Sequence, residues 1–286
     1  MLMLLPAALV LTTGCASLKS AGGKAGIQLA YQMVPGKSFT IKTEGSNVIT
    51  TDQMGQTVKM ETVSANETRY TPSTGSPEGK TDMELEFKAL SQTVNSPRGE
   101  NKTDYSSWIG KKVRFSLSSK GATSDYSGFD QLPEISTATG EKLTGKIMEM
   151  SMSEIFMELP DHPLKIGESW TITKTRDIPY GSSTLKNEET IVCTLAGKEK
   201  VNGLECARIT TAGTEKLTGK LQQQGMELEL TRETKSSGTL LFAIEKGMYV
   251  LVDGSSTASG DIYVSAMGIT VTQSITGKMK VETVFD

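Results

Sequence analysis

Residues 190–209 read TIVCTLAGKEKVNGLECARI. Ile191, Cys193 and Leu195 stand at alternate positions, the spacing of side chains that face one side of a strand. Asn202-Gly203, between Val201 and Leu204, is the two-residue signal of a hairpin whose central residues both need positive φ. Strands joined by so tight a turn run antiparallel, which argues against a βαβ fold. The fold class expected from this stretch is mainly β, in antiparallel sheets.

The same two-residue period extends outward. Ile27–Met33 alternates apolar and polar side chains without a break, and Met83–Phe87, Val113–Leu117, Leu240–Ile244 and Met248–Val252 follow it. Pro35-Gly36, Lys246-Gly247 and Asp253-Gly254 read as turns between them.

Two passages echo one another. Gly36-Lys-Ser-Phe-Thr-Ile41 returns as Gly167-Glu-Ser-Trp-Thr-Ile172, and Val113-x-Phe115-x-Leu117 returns as Leu240-x-Phe242-x-Ile244. The shared order favours two similar β halves, 27–139 and 160–286; ordinary resemblance between hairpins is the alternative. Between them, over 140–159, Leu143, Ile147, Met150 and Ile155 fall near one helical face and Pro160 stops the run. One amphipathic helix, Lys142–Glu158, is therefore expected to join the halves of a curved, half-barrel or barrel-like sheet.

LPDHPLKIGESW (159–170), VNGLECARI (201–209) and GTLLFAIEKG (238–247) resemble a family of functionally uncharacterised bacterial lipoproteins with a duplicated β-rich body. The likeness covers most of 156–252 and is weaker before Val113. Its motifs are turns and strands, so it implies a fold more than an activity. A lipidated sheet with a helix against it is also similar, at the level of fold alone, to the half-barrel lipoprotein carriers of the cell envelope.

The chain begins MLMLLPAALVLTTGCASLKS. Leu2–Thr13 is uncharged and apolar, the length of a signal-peptide core and short of the roughly 20 residues a membrane span needs. The small residues before Cys15 resemble a lipobox, which implies a signal peptide over 1–14 and a diacylglyceryl group on Cys15. Thr12 stands where the usual leucine would be, and no residue before Lys19 is charged. The alternative is a buried N-terminal strand with a core cysteine. Each buried CH₂ contributes about 0.8 kcal/mol, so two or three acyl chains hold firmly. Residues 15–26, small and glycine-rich, read as the lipidated tether. The expected location is the extracytoplasmic face of the cell envelope, in the periplasm and at the outer membrane for a Gram-negative source.

Net charge is −3, with no cluster of Lys and Arg interleaved with aromatics, which disfavours a nucleic-acid partner. His162, the single histidine, lies between prolines, and no catalytic dyad or zinc-ligand cluster surrounds it in sequence. Met148, Met150 and Met152 could offer soft sulfur to copper(I). Alternate residues on a helix point about 200° apart, however, so packing is the better reading and no metal or cofactor is expected. Cys193 and Cys206 leave two outcomes open. A disulfide suits an exported body, but the hairpin register sets Cys206 opposite Glu199, about 20 Å along the strand from Cys193. The expected function is non-catalytic: an exported, membrane-anchored lipoprotein holding a lipid or other apolar ligand between helix and sheet. Its cavity would be lined by Leu143, Ile147, Met148, Met150, Met152, Ile155, Phe156, Phe39 and Trp170. A structural or protein-interaction lipoprotein of the envelope, with a filled core and a protein partner, is the rival.

Overall fold

The structure is a computed structural model and describes residues 26–53, 55–73, 79–152, 154–180, 183–223 and 226–286. The expected signal peptide, Cys15 and the tether up to Ala25 lie outside the described residues. The first part of the chain forms β1 (Phe39–Gln53), β2 (Gln56–Pro72), β3 (Thr81–Ser96), β4 (Gly99–Lys102), β5 (Lys112–Leu117) and β6 (Thr123–Ser127). A connector follows, with β7 (Ile135–Ser136), β8 (Lys142–Leu143) and the helix α1 (Gly145–Met152). The rest forms β9 (Ser169–Tyr180), β10 (Ser183–Val201), β11 (Leu204–Gln223), β12 (Met226–Ala243), β13 (Met248–Val264) and β14 (Ile269–Phe285).

All but β7 and β8 join one antiparallel sheet in the order β6-β5-β3-β2-β1-β14-β13-β12-β11-β10-β9, with β4 on β3. Asn202 and Gly203, at φ 49° and 84°, make the β10–β11 turn and set Cys206 opposite Glu199. The echoed stretches open β1 and β9 and recur in β5 and β12. They thus mark the first and fourth strands of two meanders, β1-β2-β3-β5 and β9-β10-β11-β12.

Side chains that alternate along the strands divide the sheet into an inner and an outer face. Long strands coil because each pairing adds twist. Small inner residues at mid-length, with Gly213 opposite Ser236, Ser236 opposite Ser256 and Ser256 opposite Gly277, let neighbours pack closely as they do so. At one end of the trough the main apolar cluster draws residues from both flanks, including Phe115 and Val113 on β5 and Ile172 and Cys193 on β9 and β10. Both flanks converge on the connector, so the sheet curves around it without closing into a barrel. A smaller cluster, Ile178, Leu185, Leu217, Leu221, Leu228 and Val264, lines the inner face toward the other end.

The helix is shorter than the periodicity suggests. Lys142-Leu143 pairs with Ile135-Ser136, and the Thr144 hydroxyl accepts the Ile147 N–H at 3.4 Å, fixing the helix start. Its end tightens into three-residue turns, Glu154 N–H to Ser151 O at 3.2 Å and Ile155 N–H to Met152 O at 3.3 Å. Only Gly145–Met152 is helical; Leu143 reaches the core from a strand, and Ile155 and Phe156 from the turn beyond.

Two further expectations change. Ile27–Met33 alternates as expected, with Leu29 and Tyr31 buried, but it is an extended strap and not a strand of the sheet. Ile27 exchanges both backbone bonds with Leu164, at 2.7 and 2.9 Å, and the N–H groups of Tyr31 and Gln32 reach Ser119 O and Gly247 O. Gly247, at φ 59°, allows that approach, since a Cβ there would fall 2.3 Å from the Gln32 nitrogen. Asp253-Gly254 is not a turn but the interior of β13, where Gly254 faces Gly238 across a close strand pair.

Candidate functional site

All of the residues expected to line a cavity except Ile147 and Met150 join the core at the capped end of the trough. Phe156 is 1 % exposed, and its ring lies 5.4 Å from Tyr31, 5.9 Å from Phe115 and 6.3 Å from Tyr70. Phe39 stacks on Tyr70 at 5.3 Å. Met152 is buried in the same cluster, and Leu143, Met148, Ile155 and Trp170 pack against it half-buried. Ile147 and Met150 are also half-buried. Met148 and Met152, one turn apart, belong to this core, whereas Met150 between them points elsewhere on the helix, as helical geometry requires. Two ring tips find carbonyls on the chain leaving the helix: the buried Tyr31 donates to Met157 O at 3.1 Å and the half-buried Trp170 to Glu158 O at 3.0 Å. Side chains of the strap, the sheet and the leg leaving the helix thus pack against one another at this end of the trough.

Cys193 and Cys206 are free thiols. Cys193 lies opposite Thr211, five residues from Cys206 on β11. Five is odd, so the two sulfurs project from opposite faces of the sheet. The bulge between Leu195 and Gly197 does not bring them together. Cys193 sits in the main core with Sγ 3.6 Å from Met157 Sδ, and burial pushes its thiol up to about 12. Cys206 belongs to a small cluster with Leu241 and Ala243.

Between the two apolar clusters the inner face carries a half-buried belt of charge that the sequence reading missed. Carrying the alternate spacing of Leu195, Cys193 and Ile191 backward puts Glu189, Asn187 and Leu185 on the inner face, and that phase was the available signal. Arg176 on β9 spends its guanidinium on two carboxylates: Nη1 on Glu154, just past the helix, and Nη2 on Glu189 at 3.2 Å. Lys174 reaches Glu158 at 3.2 Å. Asn187, 1 % exposed, donates to Glu215 at 2.8 Å; among the described residues its Oδ1 has no partner, and the Nε atoms of Arg176 and Arg232 have none either. Burial raises the carboxyls of Glu154 and Glu189 above the ordinary range and lowers the Arg232 guanidinium.

His162 is exposed, and its Nε2 meets Glu168 Oε1 at 3.0 Å. The other oxygen of Glu168 accepts the Lys165 N–H at 2.9 Å, so this group clamps the turn before β9. A hollow of about 470 Å³ lies across β9 to β12, where its lining includes Lys174, Glu189 and Glu215 of the belt. Thr173, Thr190, Thr214 and Lys235 form one row of its lining, Thr175, Glu188, Lys216 and Glu233 another, and the row from Lys174 to Thr234 lies between them. No aromatic ring lines it. Among the described residues, no group of three or more His, Cys, Asp or Glu side chains could hold a metal ion, and no helix is long and apolar enough to cross a membrane.

No protein-family model matches the chain, and no curated protein matches it. Among solved structures, an outer membrane channel from Pseudomonas putida F1 is similar at 5 % identity and a TM-score of 0.20, with 93 % of this chain and 100 % of that one covered.

Proposed function

We propose that the chain is an exported, lipid-anchored, non-catalytic protein of the cell envelope that works through protein contact and not by carrying a lipid inside. The observation that supports this is the aromatic packing at the capped end, where Phe156 lies against Tyr31, Tyr70 and Phe115 at ring-packing distances. An acyl chain would need an apolar void there, within the few hundred cubic ångströms of ordinary ligand pockets. The hollow across β9 to β12 is lined by Thr, Lys and Glu side chains, which suit a polypeptide surface better than a hydrocarbon tail. The anchor is Cys15, and duplication of an ancestral β unit accounts for the two meanders.

Native mass spectrometry of the body from Ala16, purified without detergent and then offered phospholipid and fatty acid, tests this reading. A bare mass before and after the challenge is expected. A bound lipid that disappears when Met148 and Met152 become Asp, in a variant with unchanged circular dichroism, overturns it in favour of a carrier.

A further inference from the structure

We propose that β9 pairs antiparallel with β9 of a second copy of this chain, about a two-fold axis through Thr173, so that one sheet runs through both copies. β9 is an outer strand of the sheet, with β10 as its single neighbour. Leu195 donates to Glu168 O at 2.9 Å, and no register shift interrupts the ladder from there to Tyr180. Even-numbered residues of β9 therefore spend their N–H and C=O groups on β10, and Ser169, Thr171, Thr173, Thr175 and Asp177 aim theirs at the open side. Pro179 fits the same phase, since its missing N–H falls on the open side. Among the described residues no backbone group bonds to that side. The leg leaving α1 touches β9 through the inner-face residues Trp170, Lys174 and Arg176.

Two comparisons within the molecule point to a strand as the missing neighbour. β6, at the opposite outer side, is five residues long, holds Asp125 at φ 55° and shifts register against β5, irregularities that blunt an edge. β9 is twelve residues long and regular. β1, which opens with the echoed sequence, carries an antiparallel neighbour on the corresponding side, β14, over fourteen rungs.

The side chains of β9 suit a second copy and select its register. Centred on Thr173, the pairing sets Thr171 opposite the second copy's Thr175 and Ser169 opposite its Asp177, all on the exposed face. On the inner face Ile172 meets Lys174 and Trp170 meets Arg176, so no like charges oppose one another. Centring on Lys174 would set that cation against itself, and centring on Thr175 would set Lys174 against Arg176. Registers centred on Ile172 or Thr171 pair fewer residues of the strand. Five pairs of residues exchange two backbone bonds each, about ten in all, as many as a typical stable interface carries. Association stops at two copies, because the outer sides that remain are the blunted β6 edges. The pairing supplies one partner for the protein contact proposed above and rests on it for its role. A lipid-loaded body would overturn that role and leave the dimer standing, and a monomer would do the reverse.

Sedimentation equilibrium of the full chain, in a density-matched detergent, is expected to give twice the mass of one copy. Thr173→Pro removes an N–H from the open side and spares the bonds to β10, so it is expected to halve that mass. Disulfide trapping needs no loss of pairing. Across the axis the two Thr173 Cα atoms would stand about 5.5 Å apart, within reach of a disulfide, so mild oxidation of Thr173→Cys should join two copies. Thr175→Cys, equally exposed but about 14 Å from its counterpart, should not be joined. A single-copy mass for the unaltered chain, a doubled mass that T173P keeps, or trapping at 175 as strong as at 173 overturns the proposal.

Discussion

The two ends of the trough bury apolar surface by different means. At the capped end the inner face of the sheet meets a second layer, the connector and strap, and the aromatic contacts among Tyr31, Phe39, Tyr70, Phe115 and Phe156 gather there. Toward the far end, Ile178, Leu185, Leu217, Leu221, Leu228 and Val264 bury one another through the coiling of β9 to β14, and among the described residues no aromatic ring joins that cluster. Two packed layers surround a side chain on all sides, whereas one coiled layer leaves its residues near an opening. The lesson is that stability is concentrated where the chain folds back on its sheet.

Truncating Phe156 to Ala removes a ring from the middle of the cap and is expected to cost about 4 kcal/mol, measured as the urea midpoint of the body from Ala16. Leu221→Ala, at the far end, should cost about 2 kcal/mol. The second effect should also be local, with faster amide exchange at the β11–β12 end and little change around the cap. If Leu221→Ala loosens the cap amides as much as Phe156→Ala does, the two ends are one cooperative unit and the contrast fails. The smallest effect concerns the thiols: reductant should leave the melting temperature unchanged, and both Cys193 and Cys206 should react with a thiol reagent once the body is unfolded. Two sulfurs silent until reduction would mean that they are bonded.

Local geometry was legible in the sequence wherever a ladder partner lay close along the chain. VNGL gave its hairpin and the register of Cys206 against Glu199, because an Asn-Gly turn leaves the flanking residues little choice of pairing. Burial was legible in Ile27–Met33 while its structure was not, since the partners of its N–H and C=O groups, at Ser119, Leu164 and Gly247, are far away in sequence. The helix was overread because Leu143, Ile147, Met150 and Ile155 keep a helical period although Leu143 and Ile155 become buried outside the helix. The charged belt stayed hidden for a related reason. Glu189 and Arg176 look like residues of a solvated face until the phase of the neighbouring apolar positions is carried into them.

The centre of the sheet has a consequence for how the protein is made. β1 pairs with β14 over fourteen rungs, from Phe39 opposite Phe285 to Asp52 opposite Thr272. The first and last strands of this sequence to leave a ribosome are thus the ones that unite the two meanders. Until β14 has emerged, each meander is a separate piece with an open inner edge, and the joining contact spans nearly the whole chain. Closing so long a loop makes assembly slow relative to hairpin formation. The two edges that β1 and β14 bury against each other therefore stay exposed for longest during assembly.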